Sequence, residues 1–170
     1  MTEAKDGKMA AILDLPAERI NEVLNNYGLD DVIIANYNSD NQSVISGSSN
    51  SVEKAEKLLT NEGARVVMLN VSGAFHSPMM KRAEEKFKEY FLNFQFHEPN
   101  RIVISNVDAQ SYVKYNIASK LASQITSPVR WTEIIRYLLD QNETEFIEIG
   151  PGNILTHLVE NIRMKFRAHE

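Results

Sequence analysis

A histidine, a glutamine at a helix end and a pair of glycines behind an acidic residue are where this sequence could do chemistry. His76 stands in Ser72-Gly-Ala-Phe-His-Ser77, between an apolar run and an amphipathic stretch, so a strand-to-helix loop would present it. An imidazole there can take a proton from an alcohol or thiol and return it, because histidine ordinarily titrates near neutrality. Its position alone does not separate that role from a solvated or packed ring. In Gln124-Ile-Thr-Ser-Pro-Val-Arg-Trp131, Pro128 biases Ser127 toward extended backbone and ends a helix just past Gln124. Carbonyls at such an end lack intrahelical partners and can accept a side-chain hydrogen bond. Glu148-Ile-Gly-Pro-Gly152 could bring backbone N–H groups to an anion at a helix start, but it is no P-loop or dinucleotide fingerprint, and a tight strand-to-helix turn is the favoured reading.

What is missing shapes the chemistry as much. No G-x-S-x-G elbow occurs in the 170 residues, and Ser46, Ser48 and Ser72, the serines near glycine, do not sit on a strand-turn-helix nucleophile. No carboxylate pair typical of a hydrolase stands out. There are no cysteines, and His76, His97, His157 and His169 lack metal-ligand spacing, so no metal site is expected.

The elements that must position these groups follow from periodicity. Lys8–Leu15 reads as a strand ending at Pro16. A helix follows with Ile20, Val23, Leu24 and Tyr27 on one face and Gly28 at its stop. Val32–Tyr37 and Gln42–Ser46 form a hairpin across Asn38-Ser-Asp-Asn41. A helix capped by Asn50 or Ser51, with Val52, Ala55, Leu58 and Leu59 inward and Gly63 at its end, precedes a strand over Arg65–Val71. This β-α-β-β-α-β order is the ferredoxin-like split arrangement, which by itself specifies no function.

Pro78–Phe94 reads as a helix with Met79, Met80, Ala83, Phe87, Tyr90, Phe91 and Phe94 on one face. Lys81, Arg82, Glu84, Glu85, Lys86, Lys88 and Glu89 fall mostly on the other. A strand (Arg101–Asn106), helices (Ile117–Ile125 and Trp131–Leu139), a strand (Glu145–Ile149) and a helix (Asn153–Phe166) complete an α/β alternation, continuing into a parallel sheet.

With 43% hydrophobic and 24% charged residues the chain can bury a real core. A net charge of -5 argues against a nucleic-acid face. No run of the length needed to span a bilayer and no secretory signal pattern is present, so no membrane association and a cytoplasmic location are expected.

Taken in register, several stretches resemble the C-terminal half of malonyl-CoA:acyl-carrier-protein transacylases and related polyketide synthase acyltransferase domains. They are Gly7-Lys-Met-Ala-Ala-Ile12, Asn36-Tyr-Asn-Ser39 with Gln42-Ser-Val-Ile-Ser-Gly47, Val71-Ser-Gly-Ala-Phe-His-Ser-Pro-Met-Met80, Ile104-Ser-Asn-Val-Asp108, Gln124 with Ser127-Pro-Val-Arg-Trp131, and Glu148-Ile-Gly-Pro-Gly-Asn-Ile-Leu155. The resemblance covers nearly the whole chain. It implies an α/β fold in which residues 1–71 form a ferredoxin-like small subdomain. Residues 72–170 form the C-terminal portion of an α/β-hydrolase-like large subdomain, with the active site in the cleft between.

It also implies ping-pong malonyl transfer from coenzyme A, through a serine ester, to the phosphopantetheine thiol of an acyl carrier protein. His76 matches the general base, and Gln124 the residue whose main-chain carbonyl orients it in place of a triad carboxylate. Phe75 matches a residue that accompanies malonyl rather than methylmalonyl selection; one methyl group is worth only about 1–3 kcal/mol in a pocket, so it would not act alone. Met9 matches the acyl-pocket lining, and Asn36 and Asn38 the pantetheine path. Arg65 falls near a basic pair that meets coenzyme A phosphates, although this chain has one residue fewer in that strand. Malonyl-CoA would be a substrate, with no permanently bound cofactor.

The serine elbow, an oxyanion-hole segment and a carboxylate-binding arginine of the family lie upstream of what matches here, and Met1-Thr-Glu-Ala4 resembles family sequence shortly after that arginine. The expectation is therefore a partial chain that needs an N-terminal acyltransferase portion as partner and is inactive alone. Its half-built sheet would expose an edge and an apolar patch. Two other functions stay open: a non-catalytic module binding acyl carrier protein through Lys81, Arg82, Lys86 or Arg163, and an acyl-thioester hydrolase of the same family.

Overall fold

Four strands and the two helices that cross between them fill the first part of the chain in the computed structural model, which describes residues 6–167. Met1-Thr-Glu-Ala4 and His169 lie outside the described residues. Strands β1 (Gly7–Leu13), β2 (Ile33–Ser39), β3 (Gln42–Ser48) and β4 (Arg65–Met68) pair antiparallel in the order β2-β3-β1-β4. Helix α1 (Ala17–Asn26) joins β1 to β2, and α2 (Ser49–Asn61) joins β3 to β4.

Because side chains alternate along a strand, β1 divides its residues between two faces. Ala10 and Ile12 point to the helices and pack with Ile45, Ile20, Val23, Leu24, Val52, Ala55 and Leu59. Each large aliphatic side chain buried there contributes roughly 1.5–3 kcal/mol. Met9 points to the opposite face, where it meets Ala35 and Val44. Helix α1 ends before Gly28, whose φ of 63° is left-handed backbone that suits glycine. Helix α2 is capped by Ser48, whose hydroxyl accepts from the Ser51 N–H at 3.3 Å, not by Asn50 or Ser51. β3 runs straight into α2, so the last extended residue of the strand is also the cap.

The later part of the chain is mainly helical: α3 (Lys81–Phe91), α4 (Ile117–Ser123), α5 (Trp131–Asp140) and α6 (Ile154–Arg167). The strands expected at Arg101–Asn106 and Glu145–Ile149 are absent among the described residues, and so is the parallel sheet they would join. Ile104 makes a single bridge to Ser111. Along 145–149 the strand alternation is nevertheless kept. Phe146 packs with Ile135, Val159 and Ile162, while Ile147 and Ile149 are 79% and 96% exposed. A strand exists through its ladder, and among the described residues this segment has no neighbour to ladder with.

One parallel contact does form. The Val129 N–H donates to Ala35 O at 2.8 Å, and the Tyr37 N–H donates to Val129 O at 2.9 Å, which covers part of the β2 edge. β4 stops at Met68 rather than Val71, although the Leu69 N–H still donates to Met9 O at 2.9 Å.

The expected 78–94 helix divides into a 3-10 turn over Pro78–Met80 and then α3. Its tighter winding changes the angular phase of everything after it. Met79, within the turn, Tyr90, and Phe94, beyond the end of α3, lie exposed, while Glu84, expected on the charged face, is buried.

Candidate active site

The 72–77 loop is fixed against β1 by small residues. A Cβ on Gly7 would lie 2.5 Å from the Ala74 backbone nitrogen, so glycine is what permits the loop to sit there. The Ser77 hydroxyl, fully buried, donates to Ala74 O at 2.7 Å and accepts from the Met79 N–H at 3.3 Å, which caps the 3-10 turn. Between these two anchors Phe75 packs onto the Met9, Ala35 and Val44 face of the sheet. His76 adopts φ 57°, a left-handed conformation costing a non-glycine residue roughly 1–2 kcal/mol. That conformation turns its ring toward the end of α4.

There Nδ1 of His76 lies 2.8 Å from Gln124 O and 3.2 Å from Ser127 O. Both partners are carbonyl oxygens, which only accept, so Nδ1 carries the proton and donates it. Nε2 of the neutral ring is then left with its lone pair. Gln124 is the C-terminal cap of α4, so its carbonyl has no partner further along the helix. The chain bends at Ser127, ahead of Pro128, and the second carbonyl reaches the same nitrogen.

His76 lines a cleft of about 690 Å³ together with Phe75, Met80, Ala83, Lys86, Phe87, Gln124 and Ile125. Apart from the histidine, the glutamine and the lysine these are apolar, which suits an acyl chain or thioester with a polar group at one wall. Beside it sits a buried carboxylate. Glu84 on α3 takes hydrogen bonds from Lys81 at 3.0 Å, from Lys88, and from the Thr126 hydroxyl at 2.9 Å. Burial would push its pKa up, but the Lys88, Lys81 and Thr126 hydrogen bonds outweigh burial and hold it down at about 2.

Of the residues singled out in the sequence, Phe75, His76 and Gln124 meet in the cleft, with Met9 directly behind Phe75. Asn36 and Asn38 lie half-buried on β2, Asn36 opposite Val129, and are not among the residues lining the cleft. Arg65 is not brought to it either. It pairs with Leu13 at the far end of β1 from Met9 and faces Asp14 at 4.0 Å. Glu148 accepts from the Leu155 N–H, the Thr156 N–H and the Thr156 hydroxyl at 3.2, 2.9 and 2.7 Å, so this carboxylate itself satisfies the start of α6. Those bonds also lower its pKa, the Thr156 hydroxyl most. Lys81 is engaged with Glu84, and Arg163 donates to Thr144 O at 2.6 Å and stacks on the Phe146 ring. No group of three or more potential metal-ligating side chains occurs among the described residues.

Ser127, Glu84 and Thr126 carry weaker signals in the sequence: Ser127 precedes Pro128, and Glu84 follows Met80 at i+4, which puts it on the inward face despite its charge.

Comparison with known proteins supplies the family context. Residues 1–165 match the acyl transferase domain family. The polyketide biosynthesis malonyl CoA-acyl carrier protein transacylase BaeC of Bacillus velezensis is 44% identical over 172 residues, covering 99% of this chain and 59% of that protein. The crystal structure of a malonyl CoA-acyl carrier protein transacylase from Burkholderia pseudomallei superposes with a TM-score of 0.92 at 44% identity, over 97% of this chain and 59% of that one. A malonyl-transacylase solved in complex with its type II PKS acyl-carrier protein superposes with a TM-score of 0.88 at 33% identity, over 93% of this chain and 52% of that one. The chain thus spans between half and two thirds of the length of these relatives.

Proposed function

We propose, from the premise that this chain belongs to the acyl transferase domain family, that it supplies the general-base side of a malonyl-CoA:acyl-carrier-protein acyltransferase, with the nucleophilic serine carried by polypeptide outside these 170 residues. The observation that carries this reading is the His76 ring, whose Nδ1–H donates to two carbonyl oxygens and which is placed on an apolar cleft. Residues 1–71 are read as the ferredoxin-like small subdomain and 72–170 as the closing portion of the large one.

In the reaction Nε2 of His76 takes the serine proton as the alkoxide attacks the malonyl thioester. The tetrahedral intermediate collapses, the carbon–sulfur bond breaks, and the leaving coenzyme A thiolate takes the proton from Nε2. The carrier protein's phosphopantetheine thiol then gives its proton to Nε2, attacks the serine ester, and the serine leaves with the proton. Two neutral carbonyls in place of a carboxylate keep the ring oriented and in the Nδ1–H tautomer without adding a charge next to it. Phe75 and Met9, packed together, form the wall that crowds a branched α-carbon. Malonyl-CoA enters as substrate and no resident cofactor is required; the acyl carrier protein is the second partner, in keeping with the relative solved with its own. A cytoplasmic setting fits these partners.

The test is reconstitution with a serine-bearing acyltransferase N-terminal polypeptide and mass-spectrometric detection of malonyl carrier protein. The complemented chain is expected to transfer malonyl, and His76→Ala to lower kcat by about 10²–10⁴-fold. Undiminished transfer by His76→Ala would overturn the assignment of the base, and transfer by the isolated chain would overturn the need for a second polypeptide.

A further inference from the structure

Glu84 is the one charged residue buried among the described residues, 3% exposed, and the reaction above gives it nothing to do. Two of its partners, Lys81 and Lys88, lie on its own helix at i-3 and i+4, so they fix the carboxylate on α3 without reaching elsewhere. The third does reach elsewhere. Thr126 stands between Gln124 and Ser127, the residues whose carbonyls hold His76 Nδ1, and its hydroxyl donates to Glu84 at 2.9 Å across 42 residues of sequence.

The turn after α4 is shaped locally by the Ile125 N–H to Ala122 O and Thr126 N–H to Ser123 O bonds, each 3.1 Å, and Ser123 O also lies 3.2 Å from the Thr126 hydroxyl, farther than the charged Glu84 oxygen at 2.9 Å, which takes its single proton. Such bonds set its internal form but not its orientation toward the histidine loop. Orientation needs ties to other elements. On one side Val129 ties the chain to β2, and on the other Thr126 ties it to α3, with a charged acceptor that makes this bond roughly twice as strong as a neutral one.

We propose that Glu84 is a positioning residue: through the Thr126 hydroxyl it holds the Gln124–Ser127 turn so that both carbonyls accept from His76 Nδ1–H, which keeps Nε2 as the basic nitrogen. This rests on the reading of His76 as the base. A solely structural Glu84 would stabilise the fold without fixing the tautomer of a ring it never touches.

The experiment is ¹⁵N NMR of the histidine-labelled chain at a pH where the imidazoles are neutral. The parent is expected to show His76 protonated at Nδ1. Thr126→Val removes the tie while leaving Glu84 its two lysines, and should move both ring nitrogens toward the averaged values of mixed tautomers. Thr126→Ser, which keeps the hydroxyl, should restore them. In reconstituted enzyme Thr126→Val should lower kcat by about tenfold with little change in KM for malonyl-CoA. Should Thr126→Val fail to fold, Glu84→Leu, which leaves the Thr126 hydroxyl no acceptor on α3, reads the same nitrogens. A folded Thr126→Val or Glu84→Leu chain with unaltered His76 ring nitrogens overturns the proposal. Full activity of reconstituted His76→Ala would instead overturn the base assignment, whatever the tautomer result.

Discussion

At the scale of single residues the site is an exercise in where protons and charges are held. His76 spends conformational strain to face two carbonyls, and Glu84 keeps its charge in a buried place because three donors converge on it. Glu84 also makes an acid-stability prediction. Its folded pKa of about 2 lies below the ordinary 4.5, so its contribution is fully present above pH 4.5 and is lost as the pH falls toward 2. Asp108 beside Lys120 and Glu148 beside Thr156 are also shifted down and add to the acid lability of the parent. Thermal melts of parent and Glu84→Gln across that window should therefore converge as the pH falls, because the substitution removes the parent's Glu84 share and leaves the rest. Melting curves that stay parallel would contradict the assigned pKa. The inward turn of Glu84 was not legible in the sequence. Glu84 sits in a charged stretch, and three lysines and an arginine within five positions gave no sign of which would turn inward with it.

At the scale of elements, close approach decides the site. β1 carries Gly7 at the point where the histidine loop crosses it, and the loop's Ala74 and Ser77 are fully buried. Gly7→Ala places a methyl group 2.5 Å from a backbone nitrogen that cannot rotate away, so either β1 or the loop must shift. The expected outcome is a loss of about 1–3 kcal/mol by denaturant unfolding, together with displaced His76 ring resonances. An unchanged histidine spectrum would show that the loop is not held by β1. The first β-α-β-β-α-β run was readable at this scale because strand alternation, helical period and turn residues mark each element locally: β1, α1, β2, β3 and α2 fall close to where these signals put them, and β4 ends at Met68, short of Val71. The failures were local ones of phase and partner, the 3-10 turn before α3 and the unladdered segments at 101–106 and 145–149.

For the whole molecule, the distribution of apolar surface is uneven. Ile102, Ile147, Ile149, Ile154 and Leu92 are all exposed, and all lie in the part of the chain outside the four-stranded sheet. Surface of this kind marks a place where other polypeptide belongs or where copies associate. In isolation the chain should self-associate with rising concentration and bind a hydrophobic dye. Ile147→Lys combined with Ile149→Lys should suppress both by sedimentation and fluorescence, without lowering stability, because both side chains are exposed. A chain that stays monomeric and dye-free at high concentration would count against this.

The sequence by itself determined the family and the first β-α-β-β-α-β run, because these rest on residue type, local period and motif order, and through the family resemblance it implied the pairing of His76 with the Gln124 carbonyl. Tertiary structure alone decided that Ser127 joins Gln124, that Glu84 turns inward to Thr126, that Arg65 faces Asp14 and does not line the cleft, and that 145–149 has no ladder among the described residues. Each of those depends on which distant segment lies alongside. A side chain's periodicity states which way it can face, but whether anything is there to meet it is settled by the chain as a whole.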